Sequence, residues 1–187
     1  MQTATRIYGQ NAASVQTAIT IGDHFGGLQV TQIMHSKMHS GCMFVASKYL
    51  GSIADSASVG LGFTTPAVHV HAFMSVMAGG DAHVELYDSA CISSGTALAA
   101  YNYNRYEGTD SASTTIVYNP TASVTTNMTL LFDTMLPGGT GPKTPGGEAN
   151  VAEFIMDTTT CHLLRITNVS GGAKTFAVAV NFIEASD

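Results

Sequence analysis

The feature that most constrains the fold of this chain is the alternation of apolar residues with a period of two. Every second residue from Phe176 to Phe182 is Phe or Val, and His162, Leu164 and Ile166 alternate in the same way. Because successive side chains of a strand point to opposite faces, each set shares one face. Both sets are therefore predicted to point into a core.

Short β-rich runs of this kind recur along most of the chain and are separated by Gly, Ser, Asn, Asp and Pro, whereas helical periodicity is hard to find. Many short strands with turn signals between them are typical of a sandwich, a jelly roll or a small barrel. We therefore expect an all-β fold, an antiparallel β-sandwich or jelly roll. The predicted strands lie near residues 42–48, 58–63, 67–77, 82–88, 113–118, 123–133, 151–157, 161–168 and 174–183.

The domain organisation follows from length and pattern. A chain of 187 residues can form one domain with a real core, with or without an arm. Residues 1–30 lack a strong strand pattern apart from Ala18–Ile21, so we expect a less regular N-terminal arm or a lead-in strand. Residues 31–187 are predicted to form a single β-sandwich domain.

Two hairpins are predicted from glycine-containing turns. Asn168–Lys174, "NVSGGAK", is expected to join the last two strands as a hairpin. In the segment around Gly79, a three-residue loop with a glycine in the left-handed bulge position keeps polar and apolar residues apart, whereas a two-residue loop mixes them. That register places on one face Met74, Val76, Val84 and Leu86. It places on the other face His69, His71, Phe73, Ser75, His83, Glu85 and Tyr87.

Composition bears on the partners of the chain. Charged residues make up 11% of it, against about a quarter in typical soluble domains. A free monomer therefore has few charges to cover its surface, which favours burial against copies of itself or a partner; the alternative is a monomer covered by Ser, Thr, Asn and Gly. The net charge of −6 and only seven scattered Lys and Arg argue against a nucleic-acid partner.

Compartment signals are few. Cys42, Cys91 and Cys161 are odd in number and form no C-x-x-C, so we expect buried thiols in a reducing compartment. The N-terminus lacks a basic start followed by an apolar core, and no run approaches the length of a membrane span. We therefore expect neither an export signal nor a membrane partner.

The histidines are the first candidates for chemistry. His35 and His39 have the spacing of two ligands on one helical face, but the glutamate of an H-E-x-x-H site is absent and the segment is not convincingly helical. The predicted hairpin register brings together a set that could bind Zn²⁺ if its tips converged: His69, His71, His83 and Glu85. The alternative is that a flat strand pair spreads these side chains over its surface.

Catalytic motifs are otherwise missing. There is no G-x-S-x-G, no cysteine in a catalytic context, and no carboxylate pair that is demonstrably placed across a cleft. Asp81 lies in a turn, and Asp88 faces away from Glu85. We therefore expect that the chain is not an enzyme and uses no cofactor.

The segment Met135–Gly147, "MLPGGTGPKTPGG", contains a Gly, Lys and Thr that resemble part of a phosphate-binding loop. Pro142 removes a backbone N–H at the critical place, and a strand-like run follows where a helix is required. Prolines also fix φ, which argues against a flexible linker. We predict an ordered loop at one end of the sandwich, where Pro137, Pro142 and Lys143 could contact a neighbouring chain.

The long segment 89–113 between two predicted strands contains a second candidate interface. Tyr101, Tyr103 and Tyr106 are close in sequence, and tyrosines of this density on a loop often make protein contacts. The alternative is that they pack the loop onto the sheet.

Three segments carry a resemblance to a known group of proteins. In this order, "AGGDAHVELYD", "LFDTMLPGGTGPKTPGGEANVAEFIM" and "HLLRITNVSGGAKTFAVAVNFIE" resemble small virion proteins of tailed bacteriophages. In that group a Gly-Gly-Asp hairpin precedes an E-L-Y strand, a PGGTGPK loop follows a strand, and an L-R-I-T-N-x-S-G-G-A hairpin closes the chain. The similarity covers roughly residues 33–187, and the PGGTGPK loop is its most specific element.

The resemblance implies a capsid decoration (cement) protein, made in the host cytoplasm and bound to the outer surface of the virion. Its partners would be the major capsid protein and itself, as a homotrimer or a dimer. This class has a β-sandwich or jelly-roll fold and no catalytic residue. One alternative is a carbohydrate- or receptor-binding jelly-roll module of a fibre or tail, with residues 101–106 as its sugar platform. Another is a metal-dependent jelly-roll enzyme that uses the histidine set above.

Overall fold

The computed structural model describes residues 7–10, 16–19, 33–106, 111–123, 128–138 and 148–185. The chain divides into two compact units, residues 1–36 and 37–187. In the first unit, β1 (Ile7–Gln10) and β2 (Gln16–Ile19) form an antiparallel pair. A short helix, α1 (Ile33–His39), follows.

Two antiparallel sheets make up the second unit. In spatial order, the six-stranded sheet contains β12 (Thr129–Leu136), β6 (Ala82–Asp88), β14 (Cys161–Asn168), β4 (Ser58–Thr64), β10 (Thr115–Tyr118) and β8 (Thr96–Leu98). The five-stranded sheet contains β13 (Glu148–Met156), β5 (His69–Ala78), β15 (Lys174–Ala185), β3 (Met43–Ile53) and β9 (Tyr101–Asn102). A separate pair consists of β7 (Cys91–Ser93) and β11 (Thr121–Ser123).

The core lies between the two sheets, so the protein is an all-β sandwich. Both sheets contribute alternate residues of their strands to this core, as the burial patterns of β5 and β14 illustrate. Phe44 and Phe182 stack with their ring centroids 5.4 Å apart. The predicted inward faces are confirmed, since the fully buried side chains include Met74, Val76, Val84, Leu86, Leu164, Ile166, Phe176, Val178, Val180 and Phe182.

The eight long strands pair in a nested order. β3 pairs with β15, β4 with β14, β5 with β13, and β6 with β12. Consecutive strands from β3 to β6, and again from β12 to β15, lie alternately in one sheet and the other. Each of these connections therefore crosses from one sheet to the other. By contrast, the long strands β6 and β12, which follow one another among the long strands, lie in the same sheet.

The segment between β6 and β12 carries the short strands. Its β7–β11 pair packs over the outward side of the six-stranded sheet, where the side chain of Ile92 lies over Gly62. A Cβ at Gly62 would lie 2.6 Å from the Ile92 side chain, so this contact is possible because glycine has no side chain. The outward side of this sheet is thus partly covered.

Each predicted strand overlaps an observed one. The largest difference in a boundary concerns β12, which begins at Thr129, whereas the strand was predicted from residue 123. Residues 124–127 lie outside the described part of the chain. The short strands β7, β8, β9 and β11 were not predicted, because two or three residues are too few to show alternation.

Both predicted hairpins are wrong. β5 pairs with β13 and β15, whereas β6 pairs with β12 and β14, so the connection at Gly79 leads from one sheet to the other. The segment Asn168–Lys174 likewise connects strands of different sheets. The faces were nevertheless predicted correctly, because an apolar side chain points into the core of a sandwich from either sheet.

The role predicted for the glycines at 79 and 80 is also wrong. Neither residue has a positive φ, so neither forms the expected left-handed bulge. A Cβ at Gly79 would lie 2.8 Å from the carbonyl oxygen of Thr175, and one at Gly80 would lie 2.3 Å from Oγ of Ser170. These residues are glycine because the start of β15 packs directly against Gly79, and the connection before β15 packs directly against Gly80.

The segment judged non-helical forms α1, which carries His35 and His39. Its end has the hydrogen bonds of a Schellman cap: Gly41 N donates to Met38 O, and Cys42 N donates to Lys37 O, both at 3.1 Å. Gly41 has a φ of 73°. A seven-residue helix is too short for clear periodicity, and the glycine was the available signal. Among the described residues, no helix has the length and apolar character needed to cross a bilayer.

Candidate functional site

Four connections between the sheets meet at one end of the sandwich, which we call the connection end. It comprises residues 54–57, 79–81, 137–138 and 169–173. Asp81 is its centre: Oδ1 accepts a hydrogen bond of 2.6 Å from Gly138 N, and its carbonyl oxygen accepts one of 3.0 Å from Val169 N. Oδ1 of Asp55 accepts a bond of 2.8 Å from Gly171 N. The four connections are therefore tied to one another.

Asn168 organises the inner side of the connection end. Its side chain is buried, and its Nδ2 donates bonds of 2.8 Å to the carbonyl oxygens of Ile53 and Gly172. Its Oδ1 accepts bonds from the backbone N–H and the hydroxyl of Ser170. A buried amide whose bonds are satisfied in this way fixes the geometry of the groups around it.

Two glycine-rich segments touch at the connection end. A Cβ on Gly138 would lie 2.1 Å from the carbonyl carbon of Gly80, so only glycine allows this approach. Gly80 in turn lies against Ser170. The three segments that carry the resemblance, which are far apart in sequence, therefore contribute to one surface.

The outward side of strands β3, β5 and β15 adjoins this end, and we call its central part, the nine positions given below, the uncharged face. Three neighbouring positions on each of β3, β5 and β15 point outward, and none of them is charged. Ser75, Ala179 and Ser47 are aligned across the three strands and form a row of small residues, and the row on each side of it contains larger residues. The nine positions are Val45, Ser47, Tyr49, Phe73, Ser75, Met77, Ala177, Ala179 and Asn181.

An open groove of about 380 Å³ joins the uncharged face to the connection end. Its lining includes Tyr49 and Met77, which are 67% and 47% exposed, together with Gly79 and Thr175. A surface without charges that includes exposed aromatic and methionine side chains has the composition of a protein interface.

Two of the three predicted interface tyrosines border the uncharged face. Tyr101 lies beside Val45 on the edge strand β9 and is 59% exposed. The hydroxyl of Tyr103 donates a hydrogen bond of 2.6 Å to Oδ1 of Asn181. Tyr106 is 95% exposed. Tyr101 and Tyr103 thus enlarge the uncharged face at its edge.

The predicted loop residues are only partly described. Pro137 is exposed and precedes Gly138, which belongs to the connection end. Pro142 and Lys143 lie outside the described residues, as does most of the segment Met135–Gly147.

The histidine set predicted as a possible metal site is separated by the fold. His69 and His71 lie on β5 of one sheet, whereas His83 and Glu85 lie on β6 of the other. His71 Nδ1 is 2.7 Å from Glu153 Oε1, and His83 Nε2 is 2.5 Å from Asp133 Oδ1. Among the described residues, no group of three or more His, Cys, Asp or Glu side chains is arranged to hold a metal ion.

Glu85 instead belongs to a polar cluster on the outward side of the six-stranded sheet. Arg165 donates two hydrogen bonds of 2.7 Å to its carboxylate, and the Tyr87 hydroxyl donates one of 2.6 Å. The guanidinium group also lies over the Tyr87 ring, 4.9 Å from its centroid. The hydrogen bond from Arg165 lowers the pKa of Glu85, although burial opposes this effect. Burial and the bond to Glu85 raise the pKa of Tyr87.

This cluster has the features of a structural ion pair. The carboxylate of Glu85 is 8% exposed and holds a bidentate bond to its partner. Its hydrogen-bonding positions are used by Arg165 and Tyr87, which are neighbours on the same sheet. We therefore expect it to fix the pairing of β6 with β14.

Two of the predicted thiols are described. Cys42 and Cys161 are free, and both are half-buried, whereas buried thiols were predicted. The side chain of Cys91 is not among those described.

Sequence reasoning did not identify Asn168 or Gly138 as organising residues. Both belong to the segments quoted for the resemblance, "ITNVSGG" and "PGG". Their role depends on contacts with residues far away in sequence, which no local pattern encodes. No family model, curated protein or solved structure matches the chain.

Proposed function

We propose that this chain is a bacteriophage capsid decoration protein that binds the lattice of the major capsid protein and stabilises the head. In this proposal it acts at the outer surface of the virion, after synthesis in the host cytoplasm, and performs no catalytic step. The resemblance of three segments to small phage virion proteins supports the assignment. The uncharged face is the single structural observation that carries it.

The uncharged face fits an assembly protein for an energetic reason. Covering outward residues such as Tyr49 and Met77 removes apolar surface from water. No charged group at the nine outward positions has to be desolvated, a step that would cost several kcal/mol for each unpaired charge. A partner surface of similar character would therefore bind to this face favourably.

The connection end supplies the second element of the proposed contact. It presents backbone groups and short side chains that are fixed by the hydrogen bonds of Asp81 and Asn168. A preorganised surface loses little conformational entropy on binding. In the proposal, this end and the uncharged face together contact the capsid lattice, and neighbouring copies meet as a trimer or a dimer.

We also propose that the sandwich is a jelly roll. The nested pairing of the eight long strands supports this classification, because a jelly roll is an eight-stranded, two-sheet fold built from two Greek keys. The first and the last long strands, β3 and β15, are neighbours, and so are the two middle ones, β6 and β12, which also supports it.

The stability of heads tests the decoration function directly. Heads that carry the chain and heads that lack it would be heated, and DNA release would be followed by dye fluorescence. We expect heads without the chain to release DNA at a lower temperature, and the purified chain to restore the higher temperature when it is added back. Equal release temperatures, with the chain demonstrably bound, would contradict a stabilising role.

A carbohydrate-binding module of a fibre or tail is the second candidate, and the exposure of Tyr101 and Tyr106 favours it. Exposed aromatic rings are the usual platforms for sugar rings. A glycan array probed with the purified chain and with Tyr106→Ala would distinguish the two functions. Specific binding that is lost in the variant would support the carbohydrate function, whereas an absence of binding would argue against it.

A further inference from the structure

A small cavity opens between the sheets at the side where β12 and β13 form the edges. Its volume is about 150 Å³, and an apolar cavity of that size can hold a ligand as large as benzene. β12 has a bulge at Leu131, and bulges re-aim side chains. Leu131 lies at the cavity and is 41% exposed, which places it at the mouth.

The walls of the cavity are largely apolar. Five of its eight lining residues are Leu86, Leu131, Phe154, Ile155 and Met156. Such walls favour an aliphatic or aromatic group, because its transfer from water is favourable by about 25 cal/mol for each Å² buried.

The inner part of the cavity is acidic. Asp88 and His162 each lie one residue beyond the paired residues Tyr87 and Leu163, so they are neighbours on adjacent strands, and both line the cavity. The Asp88 carboxylate is 17% exposed and accepts bonds from the backbone N–H and the hydroxyl of Ser89. Asp157, which is exposed, also lines the cavity. Among the described lining residues, none is a lysine or an arginine.

His162 is the second, independent indication of a ligand. Its side chain is 1% exposed and lines the cavity. Its Nδ1 lies 3.0 Å from Asp88 Oδ1, but the two atoms lack the geometry of a hydrogen bond, and within the described part of the chain Nδ1 has no hydrogen-bond partner. A buried polar atom without a partner is costly, and a donor group placed in the cavity could satisfy it.

We propose that this cavity binds an ammonium group carried on a short aliphatic stem. The ammonium donates hydrogen bonds to the Asp88 carboxylate and to Nδ1 of His162, and the stem lies against the walls formed by Leu86, Leu131 and Phe154. An ammonium is a compact charge with three donors and no acceptor, which matches two neighbouring acceptors at the end of an apolar cavity. Binding of such a cation does not require that the chain coats a capsid.

The charge preference is tested with two probes that have the same stem. The full chain would be titrated with n-butylamine, which is protonated at neutral pH, and with n-butanol, while NMR follows the ring resonances of His162. We expect the amine to bind about tenfold or more tightly than the alcohol, because charge-assisted hydrogen bonds are the stronger ones. Equal affinities, or an amine that leaves the His162 resonances unchanged, would overturn the proposal.

Two variants locate the binding site. Asp88→Asn should abolish the preference for the amine, whereas Asp133→Asn, which removes an equal charge from the outward side of the neighbouring strand, should keep it. If Asp88→Asn does not fold, Leu131→Trp replaces it as the test, since the larger side chain starts from an exposed position and should block the mouth. Amine binding that survives in the folded variant would overturn the proposal.

The source of the ammonium group is decided by a further pair of probes. A short peptide with blocked termini and a single lysine would be compared with n-butylamine. Tighter binding of the peptide would identify the ligand as a lysine side chain of another protein, whereas tighter binding of n-butylamine would identify a free amine. If neither probe binds, the proposal is wrong, whatever the outcome of the experiments on phage heads.

Discussion

Asp81 accepts a hydrogen bond of 2.6 Å from the backbone N–H of Gly138, and this bond joins two glycine-rich connections that are 57 residues apart in the chain. The backbone of Gly138 also packs against that of Gly80. The first residues of the loop after β12 are therefore held by the connection between β5 and β6.

Gly138→Ala should disrupt this contact. Its Cβ would lie 2.1 Å from backbone atoms of Gly80, which cannot move without displacing the connection. We expect the free energy of unfolding to fall by about 1 to 3 kcal/mol, the range of overpacking substitutions, as measured by urea denaturation. Gly172→Ala is the matched control: its Cβ meets nothing within 4 Å, and we expect a change within about 0.5 kcal/mol. Equal effects of the two substitutions would contradict the close packing.

Asn168→Ala should be strongly destabilising. The substitution leaves the carbonyl oxygens of Ile53 and Gly172 without their side-chain donor, at about 1 to 3 kcal/mol for each group that stays buried. We expect a loss of about 2 to 4 kcal/mol of unfolding free energy on the same basis. Asn181→Ala, which removes one exposed bond from Tyr103, should cost less than about 1 kcal/mol. A comparable loss in both variants would count against the organising role of Asn168.

Glu85→Gln should change how stability depends on pH. The bonds from Arg165 hold the pKa of Glu85 below its ordinary value of 4.5. A carboxylate whose pKa is lower in the folded state contributes stability above its unfolded pKa, and this contribution is lost as the pH falls through the folded pKa. The difference in unfolding free energy between wild type and variant should therefore be constant above about pH 5 and shrink at lower pH. A difference that stays constant through the acid range would rule out this linkage.

Ser47→Glu should weaken attachment to heads. It places a charge in the middle of the uncharged face, and burying that charge without a partner should reduce the affinity about tenfold or more. Thr64→Glu makes a comparable change on the outward side of the six-stranded sheet, at the end of β4 that lies away from the connection end, and should leave attachment unchanged. Ser47 and Thr64 are both exposed strand residues, so we expect similar melting temperatures. Binding would be measured by co-sedimentation with heads, and equal binding of both variants would move the contact to another surface.

Much of the fold was predictable from local pattern. The long strands and the inward faces follow from period-two alternation, because a strand that covers a core must bury every second residue. The tyrosines at 101 and 103 were recognised as interface candidates, and they border the uncharged face. The low charge of the chain predicted that part of its surface is buried against copies of itself or a partner, without indicating which sheet carries that surface.

What the sequence did not determine is which strands pair. A short glycine-containing connection can turn back within a sheet or cross to the opposite one, and in a sandwich both paths bury the same side chains. The predicted hairpins at Gly79 and at Asn168 were wrong for this reason. The predicted grouping of histidines on one face was wrong as well, because it relied on the hairpin at Gly79.

The sequence by itself determined the all-β character of the chain, the approximate position of its long strands and the side of each strand that faces the core, because these depend on neighbours two residues away. Only the tertiary structure decided that His71 and His83 lie on different sheets, that Asp88 and His162 are neighbours on adjacent strands, and that Gly80 meets Gly138. Those relationships join residues far apart in the chain, and the packing of whole sheets selects them.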